Sequence, residues 1–179
     1  MRCIALCGVA AVALASSASA DVIVSFTNFT ATGFQFSQIA APGAVVGSLT
    51  GVSVNATLNA STAFTYADDL CVYVDEIPLS LNGLAQIGGY SELGAAQRYF
   101  WPSGGSDALG TVVSGQVMFT SAIDMAIPNL SIWLGNGYGA AGTSGTWTGT
   151  VTLHGVNAAP APGAIALLGL IGLASRRRR

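Results

Sequence analysis

Strict alternation is the feature that most restricts this chain. In VSVNATLN, residues 52–59, Val52, Val54, Ala56 and Leu58 share one side and Ser53, Asn55, Thr57 and Asn59 the other. A period of two puts successive side chains on opposite faces of a pleated strand, and no helix buries that pattern on one side. GTWTGTVTLH at 145–154 repeats it, with Trp147, Val151 and Leu153 inward and Thr146, Thr148, Thr150, Thr152 and His154 outward. Further strands are expected at 22–27, 33–37, 70–75, 115–120 and 130–134. Glycine and proline clusters separate them, among them WPSGGSD at 101–107 and GNGYGAAGTSG at 135–145. Strands joined by turns, with no long helical periodicity, predict an all-β sandwich over residues 21–157, each strand with an apolar face toward the second sheet and a Ser/Thr/Asn face toward water.

The two ends have a different character. Residues 1–20, MRCIALCGVAAVALASSASA, place Arg2 before an apolar run and finish on Ala18-Ser19-Ala20. This is the layout of a secretory signal peptide cut between Ala20 and Asp21. Cys3 and Cys7 leave with it, so Cys71 remains alone and no internal disulfide can form. The neighbours of Cys71 alternate around it, which places it on a strand as a packed side chain rather than as a catalytic thiol.

Residues 158–179 contain Pro160, Ala161, Pro162 and Gly163, then a charge-free run over 164–174, then Arg176, Arg177, Arg178 and Arg179. Read as a helix, those eleven residues cover only about 16 Å, so a full crossing recruits the preceding stretch or thins the bilayer. Arginines directly after an apolar helix are stop-transfer charges that stay on the cytoplasmic side. Lysine is absent from the chain, and Arg98 alone offsets eight acids between residues 21 and 175, a net charge of −7. Such a body offers no footprint for nucleic acid.

The order of proline motif, apolar helix and terminal arginine cluster resembles the PEP-CTERM sorting signals of bacterial envelope and matrix proteins. The chain departs from the name-giving Pro-Glu-Pro by carrying Ala161 in place of the glutamate. The resemblance implies a bacterial protein held transiently in the inner membrane, recognised by an exosortase-type sorting protease, cleaved near the proline motif, and placed at the surface or in the extracellular matrix. In the body, TYADDLCVYVDE at 65–76 followed by SGTWTGTVTLHG at 144–155 is similar to secreted P-domains, which pair an Asp-Leu strand with a closing Gly-x-Trp strand. That resemblance implies a jelly-roll sandwich and carries over no catalytic residue. Asn-x-Ser/Thr sequons at Asn28, Asn55, Asn59 and Asn129 read as chance in a Thr- and Asn-rich bacterial chain.

Catalytic equipment is thin. GYGAAG at 137–142 fits G-x-G-x-x-G but runs into a strand instead of the helix whose amides would hold a phosphate, so it reads as a hairpin loop. His154 falls on the polar face as a solvated side chain, and a serine triad would require it to meet an acid and a serine in space. A structural Ca²⁺ would need Asp68 and Asp69 joined by a carboxylate from another loop, such as Asp107; otherwise they are solvated loop acids, the reading adopted here, with no cofactor expected.

A ligand platform, if the domain binds a polymer, is expected from Tyr99, Phe100 and Trp101 with Arg98 and Asp107, together with Tyr138. Trp133 and Trp147 are expected in the core. The function expected is therefore that of an exported structural or weakly polysaccharide-binding module and not an enzyme, with a secreted hydrolase or its accessory domain as the alternative. The leader reading fixes one result: N-terminal sequencing of the exported protein begins at Asp21, and a sequence beginning at Met1 contradicts it.

Overall fold

Alternation becomes two sheets in the computed structural model, which describes residues 21–79 and 83–160. The expected leader (1–20, with Cys3 and Cys7), the rest of the proline motif (Ala161, Pro162, Gly163), the apolar run and Arg176–Arg179 lie outside the described residues. Among the described residues no helix is long and apolar enough to cross a membrane.

The first sheet has the order β1-β9-β3-β7, from β1 (Val22–Thr32), β9 (Ser144–Ala158), β3 (Val45–Thr62) and β7 (Val112–Asp124). The second runs β2-β8-β4-β5-β6, from β2 (Phe36–Ala40), β8 (Ser131–Asn136), β4 (Leu70–Asp75), β5 (Ala85–Ile87) and β6 (Gln97–Tyr99). All neighbours are antiparallel except β5 and β6.

Strand β3 is paired along both edges, with Val52, Val54 and Ala56 opposite Leu153, Val151 and Gly149 of β9 and opposite Val117, Gly115 and Val113 of β7. Val52, Val54, Ala56 and Leu58, with Trp147, Val151 and Leu153, all turn inward as the alternation requires. They meet Leu70, Val72, Val74, Ile132 and Leu134 of the second sheet in one apolar core. The indole N–H of the fully buried Trp147 donates to the carbonyl of Ala67 at 3.1 Å, so the largest core side chain also ties β9 to the start of β4.

Three expectations change. The strand expected from Gly33 starts only at Phe36, because Gly33 sits at φ +54°, a turn conformation that a strand residue does not adopt. Trp133 is half-buried on the outer side of the second sheet, donating to the carbonyl of Asp75, and is not in the core. The water-facing side expected for every strand holds for the first sheet but fails for β4, where Cys71, Tyr73 and Asp75 are buried as fully as their core-facing neighbours.

The cause is a segment folded across that outer face. Tyr73 donates to the carbonyl of Leu93 at 2.9 Å, and the buried amide of Gln86 donates to the carbonyls of Gly88 and Ser91 and accepts from the N–H of Leu93. Gln86 thereby supplies the hydrogen-bond partners that the 88–93 loop loses by leaving water. Short β5 and β6, flanking this loop, are absent from the sequence reading because three residues are too few to display a period.

Burial pushes the Cys71 thiol up, against the pull of the Arg98 charge, so the group is a protonated packing element. The core assigns its largest single contribution to Trp147. Trp147→Ala should lower unfolding free energy by about 3 to 5 kcal/mol, as expected for truncating a buried aromatic, and urea denaturation of the variant against the parent checks it.

Candidate ligand cleft

Strand β3 ends at a left-handed step, with Ala63 at φ 51° and Phe64 at φ 62°. The step throws the Phe64 and Tyr66 rings outward while Thr65, between them, is fully buried with its hydroxyl donating to the carbonyl of Thr62. A 3-10 turn at Ala67–Asp69 then leads into β4. Its N–H groups reach the 100–111 loop, Ala67 donating to the carbonyl of Ser106 and Asp68 to that of Gly104. Gly89 donates to the carbonyl of Asp68, Gly137 to that of Asp69, and Ser91 to that of Gly137. The loops after β3, β5, β6 and β8 are thus laced together by main-chain bonds at one end of the sandwich.

Between them lies an open cleft of about 320 Å³. Rings of Phe64, Tyr66, Tyr90, Phe100 and Tyr138 line it, with the Asp68 and Asp69 carboxylates. Phe64, Tyr90 and Phe100 are 74, 77 and 63% exposed, an unusual concentration of bare aromatic surface in so polar a set of loops. Tyr90 and Tyr138 meet edge to face with centroids 5.7 Å apart.

The floor is made by close backbone approach. Gly88 and Gly89 sit at φ +78° and +81°. A Cβ on Gly88 would lie 2.1 Å from Trp101 Nε1, and one on Gly89 2.7 Å from the Cα of Gly137. Neither position has room for a side chain. Trp101 is 5% exposed and its indole N–H donates to the carbonyl of Leu70 at 2.7 Å, so it seals the floor rather than offering a stacking face.

Of the other residues expected in the platform, the structure brings Phe100 and Tyr138 to the cleft. Arg98 stands beside it, its guanidinium 4.6 Å from the centroid of Phe100 and Nη2 donating to the carbonyl of Tyr90 at 2.8 Å. Tyr99 points elsewhere, stacked on Phe119 at 5.6 Å with its hydroxyl donating to Gln97. Asp107 lines a separate shallow hollow with Ser61 and Thr62, so it does not join Asp68 and Asp69. Among the described residues no three His, Cys, Asp or Glu side chains converge to hold a metal ion. Phe64, Tyr66 and Tyr90 escaped the sequence reading. Their signals were an aromatic pair just past a strand end and a tyrosine directly after Gly-Gly.

Asp69 organises the cleft wall. Its two carboxylate oxygens accept the backbone N–H groups of Tyr66 at 2.7 Å and Tyr90 at 3.1 Å, fixing both aromatic loops from one side chain. Burial pushes its carboxyl up to about 6, with the Asp68 charge adding to the rise and the two N–H donors opposing it. Burial raises Asp68 too, against the pull of its own backbone N–H.

His154 is not the solvated side chain expected. It lies on the outer face of the first sheet with Nδ1 2.8 Å from Asp21 Oδ2 and Nε2 2.6 Å from Ser53 Oγ. An acid, a histidine and a serine in series are the side-chain types of a catalytic triad. Ser53, however, sits mid-strand on β3, whose N–H groups are engaged by β9 on one side and β7 on the other, so no backbone donor is free beside Oγ to hold an oxyanion. None of the three residues lines the cleft.

No protein-family model matches the chain, and no curated protein or solved structure matches it either.

The Asp69 carboxyl gives stability a pH signature. A carboxyl raised from 3.8 to about 6 binds its proton more tightly folded than unfolded, so its contribution is complete below about pH 4 and is lost as pH rises through about 6. Unfolding free energy should fall across that window by on the order of 3 kcal/mol, and urea titrations at pH 4 to 7 should show the slope in the parent and a clearly shallower one in Asp69→Asn, where the raised Asp68 carboxyl remains.

Proposed function

We propose that the chain is an exported sandwich module of a bacterial envelope or extracellular matrix, and that it binds polysaccharide in the aromatic cleft. One observation carries this reading: five aromatic rings, three of them largely exposed, surround a cleft that also presents carboxylate acceptors. A sugar has an apolar face of C–H groups and an equatorial belt of hydroxyls. Rings take the first and carboxylates and backbone carbonyls take the second. Loops on a rigid sandwich are where such groups are ordinarily displayed.

The strand order supports the jelly-roll form of the sandwich. Apart from β4, β5 and β6, which follow one another in the second sheet, successive strands cross from one sheet to the other, and β9 returns to lie between β1 and β3, as in paired Greek keys. Export through the leader, retention by Arg176–Arg179 and processing by an exosortase-type protease near Pro160 belong to the same proposal and rest on the sequence of the two ends. A matrix polymer is the ligand such a destination would supply.

A secreted hydrolase is the rival reading, favoured by the Asp21–His154–Ser53 series. We assign that series a holding role, because it fastens the first residue before β1 to the middle of the sheet and faces no cleft. The binding reading is tested by retention of the full chain, in mild detergent, on polysaccharide from the envelope or matrix of a producing bacterium. Tyr90→Ala removes a ring that is mostly in solvent, so it should leave the melting temperature unchanged and weaken retention by about tenfold, the effect of losing roughly 1.4 kcal/mol of contact. Equal retention of the parent and the variant would place any binding outside the cleft.

A further inference from the structure

The carboxylates of the cleft have no ion-pair partner among the described residues. Neither Asp68 nor Asp69 forms an ion pair with a described residue; the pairs formed are Arg98 with Glu92 and His154 with Asp21. Arg98 is the single Lys or Arg between residues 21 and 175, and it is already committed. Its Nη2 serves the carbonyl of Tyr90, its Nη1 lies 3.8 Å from Glu92 Oε2, and its guanidinium covers the Phe100 ring. That last contact shows the same wall of aromatics already accepting a cation from the protein itself.

Two adjacent carboxylates, one nearly enclosed and one half-buried, are costly to keep ionised without a positive partner. Asp69 recovers part of that cost from two backbone donors, whereas Asp68, half-buried on the cleft wall, is the acid a ligand can meet. Around them the rings of Phe64, Tyr66, Tyr90 and Tyr138 supply negative π faces, with no cation of this chain among the cleft's lining residues. A ring of aromatics with a carboxylate at its base is the chemistry that holds organic ammonium groups, because cation–π attraction and Coulomb attraction act on the same charge in a partly dry site.

We infer that the polymer recognised by this cleft is an amino-sugar polysaccharide, bound through its ammonium group by Asp68 and the surrounding rings. This rests on the polysaccharide-binding reading above and adds the charge of the ligand. The cleft, at about 320 Å³, is at the small end of ligand sites and suits a sugar unit or two rather than a long enclosed chain. The net charge of −7 over residues 21–175 adds a long-range field that draws a polycation toward the domain and repels an acidic polymer.

The experiment is calorimetric titration of the full chain in mild detergent, at pH 6.5 and low salt, with a glucosamine hexamer and with its N-acetylated, uncharged counterpart. The cationic hexamer should bind at least about tenfold more tightly, and the difference should narrow in 0.5 M salt, roughly as a screened charge contact does. Asp68→Asn, which leaves the backbone bonds of the turn in place, should bring the cationic hexamer down to the affinity of the neutral one without changing the latter. Phe64→Ala should weaken both. Equal affinity of the two hexamers for the parent overturns the ammonium inference and leaves the polysaccharide reading standing. Binding of neither overturns the amino-sugar inference and leaves the polysaccharide reading to the retention experiment on the producing bacterium's own polymer. A cationic preference that survives in Asp68→Asn overturns the assignment of the charge to this cleft.

Discussion

Insertion of β9 between β1 and β3 is the contact on which the rest of the molecule depends. Among the contacts it makes, the N–H of Asn28 meets the Thr148 hydroxyl at 2.9 Å across 120 positions of sequence. Without it the first sheet is divided, β1 has no neighbour, and Trp147 has no core to fill. Because β9 is the last of the described strands, the sheet closes only after nearly all of the domain has been placed. Such non-local pairing bears its loop-closure entropy before the contacts reward it, which makes this a slow-folding topology.

The cleft inherits its shape from that closure. Trp147 reaches the carbonyl of Ala67 and Trp101 that of Leu70, so two indole N–H groups from separate later segments hold the start of β4. With that segment fixed, Asp69 can accept from both Tyr66 and Tyr90, and Gly88 and Gly89 can pass close enough to Trp101 and Gly137 to seal the floor. The exposed rings are therefore displayed by a buried and well-bonded frame. Their exposure is a property of the loops' geometry, while the frame bears the cost of holding a carboxyl in a partly dry place.

Two polar constellations divide the surface. On the outer face of the first sheet, the row of threonines on β9 ends at His154, which links Asp21 to Ser53 and turns a titratable side chain into a fastening. On the second sheet the outer face of β4 and β5 is covered, since the 88–93 loop is stitched over it by Gln86 and Tyr73. One sheet thus presents hydroxyls to water. The other presents an aromatic-carrying loop.

The sequence by itself determined the all-β class, the inward side of β3 and β9, and the turn character of the glycine segments, because side-chain alternation is a local property that any half-buried strand must show. It also marked Phe100 and Tyr138 as aromatics in loops. Tertiary structure decided what no period encodes: which strands neighbour which, that β4 is buried on both faces, that Trp101 turns inward while Phe100 beside it turns out, and that Asp69 meets Tyr90 across 21 residues of chain. Those outcomes depend on where loops from distant segments come to rest. A loop's resting place is set by the sum of its long-range hydrogen bonds and close approaches, none of which leaves a repeating trace in the residues that make it.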